Sequence, residues 1–155
     1  MRLRLVFALV LSSLAARGAE VEFSRVWPQW RDTESFDRIS EYFGGRENTG
    51  RTVVLRTHAD VRAGYYFVVR LAQAPALTAA VFELSLIRAD APEPKNWTFP
   101  VATLGHNQMV ELGLTGADWP GGQQARPVAW KITLRAADGR VLAEQKSFLW
   151  EKPAM

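Results

Sequence analysis

A strict alternation of apolar and polar residues near the end of the chain constrains the fold most. Every second residue of 128–134 is apolar: Val128, Trp130, Ile132 and Leu134. This spacing is typical of a strand with one buried face, so we expect Trp130 to lie in the core. Ala137-Asp138-Gly139 follows as a hairpin turn. Residues 140–150 are predicted to return as the partner strand, with either a bulge or a solvent-exposed middle at 144–146, and with Trp150 also in the core.

Runs of β-branched and aromatic residues predict further strands upstream. These runs are 21–24, 52–57, 65–71, 81–87, 97–101 and 109–114. We expect 21–24 to be an edge strand, because Trp27-Pro28 interrupts its alternation. The polar connection 58–64 predicts that 52–57 pairs with 65–71. Residues 89–95, which contain Pro92 and Pro94, and the glycine-rich residues 115–126 are predicted to be loops.

One segment has the period of a helix instead of a strand. Its apolar residues recur every three or four positions, and Gly44-Gly45 follows as a stop: Phe36, Ile39, Tyr42 and Phe43. The sequence therefore predicts a mainly β fold. The specific expectation is an antiparallel β-sandwich, immunoglobulin-like or fibronectin-like, with one short appended helix around residues 33–43.

The first eighteen residues have the pattern of an export signal. Arg2 and Arg4 form a basic end, residues 5–14 are mostly apolar, and Ala16-Arg17-Gly18 places small residues where a signal peptidase cleaves. We expect residues 1–18 to be the signal peptide and 19–155 a single β-sandwich domain, with Ser13-Leu14-Ala15 as the alternative cleavage site. The apolar run is shorter than the roughly 20 residues of a membrane span. The mature chain is therefore expected to be soluble, without an integral membrane segment, in the periplasm or outside the cell.

The charge balance and the absence of cysteine limit the partners and the covalent cross-links that the chain can have. Three of the 19 basic residues, Arg2, Arg4 and Arg17, lie in the predicted signal, which leaves 16 basic and 16 acidic residues in the mature chain. A balanced charge gives no reason to expect a nucleic-acid partner. The chain has no cysteine, so it has neither a disulfide nor a lipid-anchored cysteine.

The sequence contains few candidate residues for catalysis. His58 and His106 are the only histidines, and their spacing fits no metal site. His58-Ala59-Asp60 places a carboxylate near an imidazole, but the two residues are ordinary in the predicted turn. Gly113-Leu114-Thr115-Gly116 and Gly121-Gly122 lack the lysine and helix of a phosphate-binding loop. We predict no catalytic residue, no metal and no cofactor.

Two other function classes remain open. Glu83, Glu111 and Asp118 are the carboxylates that a small glycan hydrolase would use, provided that two of them share a cleft. A structural subunit would instead pair with a partner through an unpaired edge strand. Enzymatic activity is thus left open, although binding is favoured.

The remaining tryptophans are the best candidates for a binding surface. They lie beside prolines or in predicted loops: Trp27, Trp30, Trp97 and Trp119. Aromatic residues in such places either cover the end of a core or present a flat apolar surface to a partner. The sequence therefore favours an exported, non-enzymatic binding or envelope-accessory module, whose partner is a protein, a peptide or a glycan.

Export predicts a processed protein. Chain recovered from its native compartment should begin near Ala19, because cleavage after Gly18 removes the whole basic and apolar segment. Intact mass spectrometry measures this directly. A chain in that compartment that still starts at Met1 would contradict the prediction.

Overall fold

The computed structural model describes residues 21–38, 44–45, 47 and 49–151 of the chain. Within them the protein is mainly β, and two four-stranded sheets enclose one core. The predicted β-sandwich is confirmed at this level. The predicted signal peptide, residues 1–18, lies outside the described residues. No helix in the described ranges has both the length and the apolar character needed to cross a membrane.

Eight strands build the two sheets. In chain order they are β1 (Glu22–Arg31), β2 (Val53–Arg56), β3 (Gly64–Ala72), β4 (Leu77–Arg88), β5 (Ala91–Leu104), β6 (Met109–Thr115), β7 (Pro127–Arg135) and β8 (Val141–Lys146). The order is β1-β3-β6-β2 in one sheet, called sheet A, and β5-β4-β7-β8 in the other, called sheet B. Neighbouring strands are antiparallel except β2 and β6, which are parallel.

The core lies between the facing sides of the sheets. Alternate residues of the central strands are fully buried there, among them Phe67, Leu112, Phe82 and Ile132. Trp130 packs against this core and meets the Phe67 ring edge to face at 5.8 Å. Of the predicted buried face of β7, Ile132 and Leu134 are fully buried and Trp130 is partly buried, whereas Val128 is 43% exposed. The predicted burial of the final hairpin is thus confirmed only in part.

Trp150 differs from the prediction. Strand β8 ends at Lys146, and Trp150 lies in a 3-10 turn, Phe148–Glu151. Its side chain is outside the core cluster, and the Lys131 ammonium is 5.6 Å from its ring. The predicted bulge is also displaced, because the β7–β8 register shifts between Leu134 and Arg135 instead of opposite 144–146.

Strand β2 pairs with a different partner from the one predicted. It lies beside β6, with Val53 opposite Val110, while β3 pairs with the other side of β6. The connection 58–64 therefore passes over the end of β6 instead of forming a hairpin. The backbone amide of Thr57 donates to the carbonyl of Gly113 at 3.0 Å, which carries the pairing to the end of β2.

Residues 91–95 are a strand, not the predicted loop. They begin β5, which pairs with β4 alone and forms one edge of sheet B. Proline is tolerated in an edge strand because the missing N–H costs no bond to a second neighbour. Pro92 and Pro94 lie where the β4–β5 register shifts, between Leu86 and Arg88. At the other sheet, β1 is an edge strand as predicted, but it continues through Pro28 to Arg31.

The helix predicted over 33–43 does not run continuously. Residues Glu34–Phe36 form a single 3-10 turn, and Asp37 has extended dihedral angles of φ −68° and ψ 131°. The side chain of Asp32 accepts from the amide of Ser35 as a helix N-cap does, but the extended backbone at Asp37 ends the segment after one turn. Residues 39–43 of the predicted helix lie outside the described residues.

The outer face of sheet A carries a second, smaller cluster, built on Tyr66. The Tyr66 side chain is fully buried, and Gly113 on the neighbouring strand leaves room for its ring, which a Cβ there would overlap. Its hydroxyl donates to the carbonyl of Arg62 at 2.5 Å and accepts from Arg56 Nε at 2.7 Å. Phe36 covers the ring at 5.0 Å between centroids.

Two arginines complete this cluster. Arg31 and Arg56 lie over the Phe36 ring at 3.7 and 4.7 Å, and each is paired with a carboxylate. Arg31 pairs with Glu111, and Arg56 makes two hydrogen bonds to Glu47. The Arg56 hydrogen bond lowers the pKa of Glu47 although burial opposes this. The cluster therefore neutralises its charges internally.

Burial of the two tyrosines predicts a loss of stability at high pH. Burial raises the pKa of both Tyr65 and Tyr66 above the usual 10.0. The unfolded chain then ionises first, so the free energy of unfolding falls as pH rises above that value. Either Tyr65→Phe or Tyr66→Phe should make the fall shallower in urea denaturation measured at several pH values.

The same two variants should differ at neutral pH. Tyr66→Phe leaves the buried Arg56 Nε and a carbonyl without their partner, which costs about 1–3 kcal/mol. The Tyr65 hydroxyl makes no hydrogen bond to any described residue, so Tyr65→Phe should cost much less. Equal losses for the two variants would contradict the role assigned to the Tyr66 hydroxyl.

Candidate functional site

A concave pocket opens at the end of the sandwich where β6 ends. It has a volume of about 500 Å³ and lies between the β4–β5 turn and the loop that leads into β7. Its apolar wall includes Trp119, Pro120, Pro127 and Val128. We call it the Trp119 pocket. Pockets with mostly apolar walls and a few polar groups are the usual form of ligand sites.

The predicted loop 115–126 folds as two 3-10 turns, Gly116–Asp118 and Gly122–Gln124. Gly116 and Gly122 have positive φ angles of 57° and 55°, which glycine adopts without a steric penalty. Between the turns, Trp119 stacks on Tyr65 with 4.4 Å between centroids, and its indole N–H donates to the carbonyl of Gly122 at 2.9 Å. The glycines thus let the loop fold back over the tryptophan.

Two arginines and one aspartate supply the charge at this pocket. Arg88, whose side chain is 11% exposed, donates from Nη1 to the carbonyl of Asp118 at 3.3 Å. Its buried Nε lies 3.0 Å from Asp90 Oδ1 but is not aligned for a hydrogen bond with it. Arg126 donates from Nη1 to the loop carbonyls of Gln123 and Ala125. The pocket therefore combines an apolar wall with two cations against one carboxylate.

Beside the pocket, Asp118 joins an imidazole and an indole. Its Oδ2 is 3.1 Å from His58 Nε2, and its Oδ1 accepts from Trp97 Nε1 at 3.1 Å. From the sequence, Asp60 was the candidate partner of His58. The structure instead pairs His58 with Asp118 from another loop. No Ser or Cys side chain of the described residues is hydrogen-bonded to this pair. Its arrangement positions the loop and supplies no nucleophile.

The structure separates the four predicted binding tryptophans. Trp119 is 4% exposed and belongs to the core, while Trp30 and Trp97 are partly buried against it. Trp27 lies on the outer face of sheet A, where Arg25 stacks on its ring at 4.8 Å. Trp97 is linked to the turn before Trp119 by its hydrogen bond to Asp118. Trp30 is opposite Tyr65, the residue on which Trp119 stacks. Only Trp119 of the four lines the pocket.

The three carboxylates considered for hydrolysis lie apart. Glu83 pairs with Arg135 on the outer face of sheet B, and Glu111 pairs with Arg31 on the outer face of sheet A. Asp118 is in the end loop with His58. A glycosidase needs two carboxyl groups facing one sugar, and these three belong to different surfaces. The described residues also include no group of three His, Asp or Glu side chains that could hold a metal ion.

A second, wider depression lies at the opposite end of the sandwich, where β6 begins. Its volume is about 760 Å³, and the turn between β5 and β6 forms one wall. Arg51 and Arg70 line it, and sequence reasoning missed both, together with Arg88 and Arg126 of the Trp119 pocket. Isolated arginines give no local pattern in a sequence. Only the pairing of distant strands brings them together.

Comparison with known proteins finds no family model that matches the chain and no curated protein that is significantly similar to it.

The burial of Trp119 predicts a large effect on stability. Trp119→Ala should lower the free energy of unfolding by about 3–5 kcal/mol, because it removes a buried indole ring that stacks on Tyr65 and leaves a cavity. Trp27→Ala is the matched control and should cost much less, because Trp27 lies outside the core cluster and a stack with an exposed arginine such as Arg25 contributes about 0.5–1 kcal/mol. Chemical denaturation measures both. A Trp119→Ala variant as stable as the wild type would mean that Trp119 is a surface residue instead of a part of the core.

Proposed function

We propose that the chain is an exported, non-enzymatic β-sandwich that binds a partner through the Trp119 pocket. The observation that carries this proposal is the pocket itself, with its apolar wall and its two arginines. Binding residues are often presented by end loops that a rigid scaffold positions. The aromatic stack of Trp119 on Tyr65 fixes the floor of this site before a ligand arrives.

Exposed apolar side chains near the pocket favour a peptide or protein segment as the partner. Val128, which lines the pocket, is 43% exposed, and Leu149 and Phe148 are 47% and 81% exposed. Phe148 and Leu149 lie in the turn that packs against β7, the strand that contains Val128. Exposed apolar surface next to a pocket is typical of protein interaction sites. Arg88 and Arg126 favour a segment that also carries an acidic group.

The strand order supports an immunoglobulin-like type of sandwich. In the immunoglobulin fold the first, second and fifth strands share one sheet, and the third, sixth and seventh share the other. Here β1, β3 and β6 correspond to the first set, and β4, β7 and β8 to the second, with β5 added beside β4. Strand β2 departs from that pattern, because it precedes β3 in the chain and runs parallel to β6. This correspondence concerns the type of sandwich and does not locate the binding site.

Selection from a displayed random-peptide library tests the site. Peptides selected on the wild type should carry an apolar residue near an acidic one, and Val128→Arg should weaken them by on the order of tenfold or more. The introduced side chain fills the mouth of the pocket and adds a third cation. Val141→Arg is the matched control, because Val141 is 48% exposed and does not line the pocket.

Two results would contradict this proposal. One is that no peptide is enriched on the wild-type protein over the Val128→Arg variant. The other is that Val128→Arg and Val141→Arg weaken the selected peptides equally, which would place their binding elsewhere. Isothermal titration with synthetic peptides gives the dissociation constants for both variants.

A further inference from the structure

The wide depression at the opposite end of the sandwich has an unbalanced charge. Two arginines line it, Arg51 before β2 and Arg70 at the end of β3, and no Asp or Glu is among its described lining residues. The rest of its polar surface comes from residues with neutral side chains or imidazole: Ser24, Thr52, His106, Asn107 and Gln108. We call it the Arg51–Arg70 depression. It is separate from the Trp119 pocket, since the two share no lining residue.

Pairing of β1 with β3 adds a like-charge contact at the same place. Arg70 is directly opposite Arg25, and like charges in opposite positions of a sheet destabilise it. Arg25 is drawn to the Trp27 ring, at 4.8 Å from its centroid. Arg70 has no such stacking partner among the described residues. A bound anion would offset the repulsion between Arg25 and Arg70.

The backbone at both arginines is held by hydrogen bonds from neighbouring side chains. Gln108 Nε2 donates to the carbonyl of Arg51 at 2.9 Å, and Ser24 Oγ donates to the carbonyl of Arg70 at 3.2 Å. Neither guanidinium forms a hydrogen bond or an ion pair with any residue that the structure describes. Arg135 in sheet B shows the opposite arrangement, because it pairs with Glu83.

The turn between β5 and β6 is itself held rigidly. Gln108 Oε1 accepts from the amide of Gly105 at 2.6 Å, and the Gln108 carbonyl accepts from the amide of Leu71 at 3.1 Å. His106 Nδ1 donates to the carbonyl of Ala74 at 3.1 Å, so its Nε2 is not used in that bond. Asn107 adopts a positive φ of 49°. The wall is therefore preorganised and lined with hydrogen-bonding groups.

We propose that the Arg51–Arg70 depression binds the phosphate group of a small, hydroxyl-bearing ligand. Two guanidinium groups that no described carboxylate neutralises match a phosphate dianion in charge, and the guanidinium fork suits phosphate oxygens. A volume of about 760 Å³ exceeds the space that a free phosphate needs, and the neutral polar groups around it suit hydroxyls. The site is independent of the peptide binding proposed for the Trp119 pocket.

Titration at constant ionic strength tests this site with two probes, glucose 6-phosphate and inorganic phosphate. Both should shift the backbone amide resonances of residues 105–108, and glucose alone should not. Arg51→Ala and Arg70→Ala should each weaken binding by on the order of tenfold, the loss expected for hydrogen bonds to a charged group. Tighter binding of the sugar phosphate identifies an esterified ligand, and equal binding identifies free phosphate.

Lys95→Ala is the control, because it removes one positive charge from β5 in the other sheet. It should leave the dissociation constant unchanged. Equal weakening by Lys95→Ala and Arg70→Ala would reveal attraction by net charge only and overturn the proposal, as would no binding at millimolar phosphate. Thermal unfolding measured without phosphate separates a loss of binding from a folding defect. Arg70→Ala should unfold at the same temperature as the wild type or at a higher one.

Discussion

The double pairing of β6 is the constraint on which both candidate sites depend. This seven-residue strand hydrogen-bonds to β3 on one side and to β2 on the other, and most of its side chains are buried. Its first residue, Met109, lines the Arg51–Arg70 depression, and its last, Thr115, begins the loop of the Trp119 pocket. Thr115 also binds the backbone of His58 through its hydroxyl. Displacement of β6 would therefore disturb both ends of the molecule at once.

Local periodicity predicted the elements whose burial is one-sided. The middle of β4 alternates cleanly, because one face meets the core and the other is partly exposed. In β7 the alternation of the sequence correctly marked Ile132 and Leu134 as buried, although Val128 is exposed. The same rule failed at β5, where prolines indicate a loop unless the strand is known to be an edge. The partner of β2 was also out of reach, because its pairing joins residues more than fifty positions apart. Proximity along the chain favoured the wrong neighbour.

The candidate sites were predictable only in part, for a related reason. The sequence analysis placed Trp119 and Trp97 beside prolines or in loops. The structure keeps Trp119 in a loop but places Trp97 in β5, where Asp118 links its indole to His58. Whether an indole faces solvent depends on the element that lies beneath it, and Tyr65 comes from a distant strand. The arginines of both pockets have no local signature in the sequence. Their role follows from the carboxylates that other strands place, or do not place, beside them.

The prolines of β5 affect how copies of the molecule meet. An edge strand of fourteen residues is a long template for pairing with another chain, and exposed edges of this kind promote aggregation. Pro100, opposite Val81, supplies no N–H to such a neighbour, and Pro92, Pro94 and Lys95 obstruct the other half of the edge. The prolines that make β5 resemble a loop in the sequence thus hinder edge-to-edge pairing and fibre-like growth. This protection matters in a chain without cysteine, where no disulfide limits unfolding.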